Sequence, residues 1–479
     1  MRSTAIRKIL NGKKLMLIAA TLLAMVLLSA CASREGNMRS DGEAAGSEIT
    51  LTPESLQGVW VGSLETGNGS IRLVFRSSED GSWVMDSPDQ GATGLPAELQ
   101  LKQNNTVKFD VPSVGGYFQG TFTGTRSIDG TWYQGGAQFP LVLEPQDTRP
   151  EISRPQEPEP PYPYVSRDLY FRNDSADIQL AGTLTLPRGE GPFPAVVLVS
   201  GSGPQNRDEE LMGHKPFLVL ADYLTRQGIA VLRYDDRGVG LSEGDFQDAT
   251  SPDLASDALA AWKYLVSQNE TDPLRTGIAG HSEGGLIGIY LGYRNPEIPF
   301  LVLLAPSVIQ GREQLLLQSE IIMRRSGVSE EAIRRELDAA KGIFDILQQI
   351  PVKESLPPET ISRLEEQYRT MGLSGSRLEN ALRQITSRWY RNFLTYDPST
   401  EINELEMPAL AVFGGLDTQV DARANSAPIT AENIDVVTLD GLNHLFQEAE
   451  SGLPAEYGSI SETMNPRLLE LVSSWINGR

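Results

Sequence analysis

The sequence predicts a mixed architecture: a small all-β domain of antiparallel strands, then a larger α/β domain with a mostly parallel sheet flanked by helices. Three observations predict it. The chain has 479 residues, more than one average domain uses. Its texture changes near residue 165 from short β-rich runs to alternating strand-like and helix-like stretches. Between the two textures, Pro145 to Pro163 carries seven prolines, a density that favours an extended spacer over a packed element.

The first 30 residues read as a targeting segment. Arg2, Arg7, Lys8, Lys13 and Lys14 form a basic region, and Leu15 to Leu28 is an apolar core too short for a comfortable membrane span. Residues 31–50 are small and polar and read as a flexible tether. The β domain is placed at 51–145, with strand-like runs at Ile71 to Phe75, Thr106 to Val111, Tyr117 to Thr123 and Leu141 to Glu144. Asp129-Gly130 is expected to be a hairpin turn. With no His and no Cys, this domain holds no plausible catalytic cluster. A proline-rich linker follows at 146–164.

From residue 165 to 479 the pattern is that of a parallel sheet. Arg167 to Arg172 and Ile178 to Leu186 read as strands, and Pro194 to Val199 is a continuous apolar run of the kind a strand buried on both faces needs. Helix-like Lys215 to Gln227, Pro252 to Ser267 and Glu283 to about Tyr293 alternate with strand-like Ile229 to Tyr234, Thr276 to Gly280 and Phe300 to Ala305, which implies crossover connections. The last units return at Ala409 to Phe413, Asp435 to Leu439 and Pro466 to Ile476. Between them, residues 307–402 are helix-forming and charged, without a buried-strand signature. They read as a helical insertion, which could be a peripheral helical bundle; the cap over the site that the resemblance named below implies is the competing expectation.

Composition narrows the function. Hydrophobic residues make up 40% and charged residues 22%, values ordinary for globular proteins. The net charge of −22 argues against nucleic acid and anionic headgroups as substrates. A single cysteine excludes an internal disulfide framework. No His/Cys/Asp cluster has metal-ligand spacing, so neither a metal nor a cofactor is expected.

The chemistry is concentrated in Gly280-His281-Ser282-Glu283-Gly284. A G-x-S-x-G between a strand and a helix makes a tight turn with one serine hydroxyl free at its tip. That hydroxyl needs a base, and the chain has three histidines. His281 is adjacent to Ser282, where neighbouring side chains diverge, and is expected to be packed and hydrogen-bonded beneath the turn. His214 lies before the strand at Ile229, in the wrong place for the base; a structural role or a place in the pocket lining is open to it. His444, in Gly441-Leu442-Asn443-His444, is the expected general base. Asp417, after Val412-Phe413 and the flexible pair Gly414-Gly415, is the expected carboxylate. Its rivals Asp421 and Asp440 are better explained as a helix N-cap and a turn residue. The backbone N–H of Glu283 is the expected first donor to an oxyanion. Ser202, in Ser200-Gly201-Ser202-Gly203-Pro204, is the second. The Glu283 side chain is read as an acid favoured by the helix dipole.

These motifs resemble the α/β-hydrolase superfamily, in the branch that mixes bacterial carboxylesterases with serine-aminopeptidase-like enzymes. The order Ser282, Asp417, His444 is the order of that superfamily. Asp236-Arg237-Gly238-Val239-Gly240-Leu241-Ser242 is similar to its D-R-G-x-G-x-S segment and is taken as structural. It is not a dinucleotide fingerprint, since the third glycine is missing. The resemblance implies an eight-stranded sheet with the cap inserted after the sixth strand, and hydrolysis of carboxylic esters through an acyl-enzyme. A peptidase acting on short peptides is the alternative, and a non-catalytic envelope binding protein on the same scaffold a third reading, which an intact triad opposes. Leu28-Ser29-Ala30-Cys31 resembles a bacterial lipoprotein signal, with Cys31 as the lipidated residue that anchors the chain to a membrane. Ala32 in the following position points to the outer membrane, facing the periplasm.

Overall fold

The computed structural model describes residues 51–479, other than 67–68, 79, 91, 124–125, 136, 149–152 and 248. The signal-like segment, Cys31 and the tether lie outside the described residues. The described residues form two compact units, one reaching to Ser153 and the other made of Arg154–Glu210 and His214–Arg479.

The first unit contains a closed barrel of eight strands: β1 (Val59–Thr66), β2 (Gly69–Ser77), β3 (Trp83–Ser87), β4 (Ala92–Lys102), β5 (Thr106–Val111), β6 (Gly116–Phe122), β7 (Ile128–Gln134) and β8 (Ala137–Gln146). Each pairs antiparallel with the next, and β8 returns to β1. Closure leaves no long exposed edge. Alternation is visible along β5, where Val107, Phe109 and Val111 are buried and the residues between them are not. Inside, Phe75 stacks on Phe109 with ring centroids 4.5 Å apart.

The expected hairpin turn at Asp129-Gly130 is corrected: both residues lie within β7. Gly130 faces Gly120 across the β6–β7 pair. A side chain there would come within 2.5 Å of Gln119 O and Gly120 Cα, so the glycine serves close strand approach rather than a turn.

The second unit is built on an eight-stranded sheet: β9 (Val165–Asn173), β10 (Ile178–Leu186), β11 (Phe193–Val199), β12 (Ala230–Tyr234), β13 (Thr271–His281), β14 (Leu301–Leu304), β15 (Ala409–Gly414) and β16 (Ile434–Leu439). The spatial order is β16-β15-β14-β13-β11-β12-β10-β9. Strands from β16 to β12 are parallel, and β10 runs against both its neighbours. Helices α1 (Pro216–Arg226), α2 (Ser251–Val266) and α3 (Glu283–Arg294) make the first crossovers. The Thr250 N–H donates to Asp253 Oδ2 at 2.9 Å, completing a capping box that starts α2. Because the central strands are parallel, the residues after β11, β13, β15 and β16 emerge at one edge, where such sheets place their sites.

After β14 the chain enters α4 (Gly311–Arg325), α5 (Glu330–Gln348), α6 (Pro358–Thr370), α7 (Gly375–Thr386), α8 (Arg388–Thr395) and α9 (Ser399–Asn403). Helices α4 to α8 share a buried apolar core with Leu286 of α3, including Leu315, Phe344, Leu364, Tyr390 and Leu394. The insertion therefore packs on the helix that carries the G-x-S-x-G turn, which is not what a peripheral bundle would do. Residues after β15 add α10 (Ala422–Ser426) and, after β16, α11 (Pro466–Asn477).

Candidate active site

Ser282 occupies the single residue between β13 and α3, with φ 55° and ψ −115°. Such a conformation costs a non-glycine residue on the order of 1–3 kcal/mol. It is held by the Ser282 N–H donating to Leu304 O at 2.8 Å, and by Gly285 N–H closing back on Ser282 O at 3.0 Å. The flanking glycines permit the crowding. A Cβ on Gly280 would stand 2.0 Å from Gly284 O, and one on Gly284 would stand 2.0 Å from Val199 O. The turn thus pulls α3 against β11 as tightly as bare backbone allows, and the serine projects from it. Among the described residues its hydroxyl has no hydrogen-bond partner, in keeping with catalytic contacts that tighten only around substrate.

Two strand ends away, His444 Nδ1 and Asp417 Oδ2 are 2.7 Å apart, with both side chains buried. Asp417 Oδ1 accepts the N–H groups of Gln419 at 2.7 Å and Val420 at 2.9 Å. Three groups thus converge on this carboxylate and fix its orientation. A proton on His444 Nδ1 would be donated to Asp417 Oδ2 and would leave the lone pair on Nε2. His444 sits in a turn braced by Asn443, whose Oδ1 accepts the N–H groups of Leu445 and Gln447, both at 3.0 Å. The Gly414-Gly415 pair read as flexible in sequence instead serves packing: a Cβ on Gly414 would lie 2.6 Å from both Leu442 O and Asn443 O. Neither rival acid reaches His444. Asp421 caps α10 by accepting from Ala424 N at 2.8 Å, and Asp440 leads into Gly441, whose φ is 82°.

The loop after β11 lies against the elbow. A Cβ on Gly201 would be 3.3 Å from Ser282 Cβ, so Ser200-Gly201-Ser202 borders Ser282. The Gly201 N–H is engaged by Glu209 Oε1 at 2.7 Å, which leaves Ser202 as the next backbone donor along the loop. Asp236 holds the same loop from below, accepting from Ser200 Oγ at 3.0 Å and Gln205 N at 2.9 Å. Burial pushes its carboxyl up to about 8, with the nearby acids Glu283 and Asp257 adding to the rise. The D-R-G-x-G-x-S segment is therefore structural, and the structure it supports is the site's own. Arg237 pairs with Asp257 at 2.6 Å.

Glu283 stands in the first turn of α3, as read, and its side chain is also engaged inside the protein. It is buried, accepting Ser251 Oγ at 2.6 Å and Trp389 Nε1 at 2.7 Å. Burial raises its pKa, and these donors together with Ser202 oppose the rise. His281 is packed beneath the turn: its Nδ1 faces Glu209 Oε1 at 2.9 Å and its Nε2 faces His444 O at 2.9 Å. His214 is wholly buried, 2.9 Å from Tyr457 O and 3.0 Å from Thr463 Oγ1. These partners tie it to the segment 457–463. Glu209 and Trp389 were not anticipated. Glu209 stands in the charged run Arg207-Asp208-Glu209-Glu210, which looks like solvated surface, and Trp389 lies in an insertion whose sequence carries no site motif.

A family model described as serine aminopeptidase, S33, matches residues 215–448. That span holds β12 to β16 as well as Ser282, Asp417 and His444. The second unit has the α/β-hydrolase fold. Esterase EstD of Thermotoga maritima is 26% identical to this chain over 387 residues, 80% of this chain and 81% of its own length. That share is more than residues 165–479 supply, so the likeness extends into the β domain. Esterase FrsA of Klebsiella pneumoniae is 28% identical over 171 residues, 33% of this chain and 39% of its own. Among solved structures, Est1E of Butyrivibrio proteoclasticus with ferulic acid bound is 19% identical, covers 65% of this chain and 96% of that one, and has a TM-score of 0.38.

Proposed function

We propose that this α/β-hydrolase is a serine carboxylesterase in which Ser282, His444 and Asp417 form the catalytic triad. The observation that carries the proposal is the pairing of a serine held at φ 55° on the elbow with a buried His444–Asp417 contact of 2.7 Å at the same sheet edge. His444 Nε2 takes the proton of Ser282 Oγ as the oxygen attacks the ester carbonyl. Asp417 stabilises the resulting imidazolium. The N–H groups of Glu283 and Ser202 receive the oxyanion. Collapse expels the alcohol, which takes the proton back from His444, and water hydrolyses the acyl-enzyme by the same route. The named esterases among its relatives support the ester as substrate.

A peptidase reading has one observation of its own, the serine-aminopeptidase description of the matching family model. The two separate on substrate: p-nitrophenyl acetate, butyrate and octanoate against aminoacyl-p-nitroanilides, with Ser282→Ala beside the wild type. Ester turnover abolished by Ser282→Ala supports the esterase. Turnover of the anilides alone moves the chain to the peptidases, and no turnover of either by a folded protein removes both.

The envelope placement is proposed on sequence alone. The basic and apolar start followed by Leu28-Ser29-Ala30-Cys31 supports lipidation at Cys31 and a membrane-held enzyme facing the periplasm. Metabolic labelling with a palmitate analogue, lost on Cys31→Ala, is the test.

A further inference from the structure

Both ring nitrogens of His281 face acceptors. Nδ1 is 2.9 Å from Glu209 Oε1 and Nε2 is 2.9 Å from the main-chain oxygen of His444. A neutral imidazole carries one N–H and one lone pair. With Glu209 ionised, one of the two contacts would then bring lone pair against lone pair at hydrogen-bond distance. Only an imidazolium donates to both. Glu209 completes the arrangement, since its Oε1 also accepts the Gly201 N–H at 2.7 Å. One buried carboxylate thus grips the loop that carries the second oxyanion donor, and through His281 it grips the loop that carries the base.

We infer that Glu209 and His281 form a buried ion pair that positions the oxyanion loop and the His444 turn relative to Ser282. Neither side chain is assigned a step in the chemistry; both are positioning residues, and their role in catalysis rests on the triad proposed above. The charged groups around the ring agree with the assignment. Burial opposes a charge on His281, while Glu209, the His444 carbonyl and the more distant Asp417 favour it, and the outcome is a raised pKa. The His444 ring itself lies 4.8 Å away, centroid to centroid. A raised pKa means that the pair persists to higher pH than a free imidazolium would and is lost as pH rises past that pKa. A single displaced catalytic group, moved by about 1 Å, can cost roughly 10²-fold in rate.

The chain has only three histidines, so nitrogen-15 histidine spectra of the full-length protein can resolve each ring, with His281→Gln assigning the resonance. The expected result at pH 7 is one imidazolium with both nitrogens protonated, absent in His281→Gln and converted to a neutral ring in Glu209→Gln. In kinetics on p-nitrophenyl butyrate, Glu209→Gln should lower kcat by about 10- to 100-fold, leave KM within about 3-fold, and move the alkaline fall of kcat to lower pH. A neutral His281 ring in the wild type overturns the inference, as does a Glu209→Gln enzyme with unchanged kcat and pH profile. Should that variant fail to fold, the wild-type spectrum alone decides. Failure of the esterase reading shows separately, as absence of turnover by the wild type, whereas the ring's charge is read without substrate.

Discussion

Trp389 of the cap donates its indole N–H to the carboxylate of Glu283, the residue after Ser282, at 2.7 Å. The cap is thereby fastened to the elbow itself by a bond that no apolar packing replaces. Ser251 and Trp389 both donate to Glu283 Oε1, so losing the indole leaves the buried acid poorer in hydrogen bonds. Trp389→Phe should destabilise the protein by about 1–3 kcal/mol. The pKa of Glu283 is raised by burial, so the native state keeps this proton to higher pH than the unfolded chain does. Stability from this group therefore declines as pH rises above the unfolded carboxyl value. Glu283→Gln should flatten that decline, and the Trp389→Phe penalty should be greater at pH 8.5 than at pH 5.5. Thermal melts at the two pH values check both.

Asp417→Asn should keep the fold and lose the activity. The amide oxygen can still accept from Gln419 and Val420, while its NH₂ group, turned to His444, forces the ring proton onto Nε2. A base with its lone pair on the wrong nitrogen should show kcat reduced by roughly 10³- to 10⁴-fold. Steady-state ester hydrolysis and a circular dichroism spectrum together measure this.

At the elbow, two substitutions should move stability in opposite directions. Gly284→Ala would place a methyl group 2.0 Å from Val199 O, and neither α3 nor β11 can retreat without opening the core. Its expected outcome is insoluble or inactive protein. Ser282→Gly removes the nucleophile and with it the cost of a side chain at φ 55°. It should be inactive and about 1 kcal/mol more stable in denaturant titration.

His214 should make the fold acid-sensitive. Burial, with Arg154 adding repulsion, pushes its pKa down from 6.5 to about 4. The unfolded chain then binds this proton at a pH where the native state refuses it. Stability is lost as pH falls from about 6.5 toward 4, by on the order of 3 kcal/mol at the lower end. His214→Asn should reduce that slope in urea midpoints measured across the range.

What the sequence disclosed was local or periodic. The apolar run at β11, the spacing of Gly280, Ser282 and Gly284, and the glycines before Asp417 are short patterns that dictate backbone geometry directly. What stayed hidden was contact between distant side chains. Glu209 meets His281 across 72 residues and Trp389 meets Glu283 across 106, and neither residue is distinguished by its neighbours in the chain. Asp129-Gly130 failed for a related reason: the pair has turn chemistry, but Gly130 is spent on close approach to Gly120, a strand partner that local pattern cannot name.

The central claim, that Ser282 is the acylated nucleophile, is tested most directly by covalent trapping. Treatment of the protein with diethyl p-nitrophenyl phosphate and peptide mapping by mass spectrometry should find one diethylphosphoryl group on Ser282, with esterase activity lost in proportion to labelling. Asp417→Asn should label far more slowly. An enzyme inactivated with Ser282 unmodified, or one fully active after Ser282 is modified, would contradict the account.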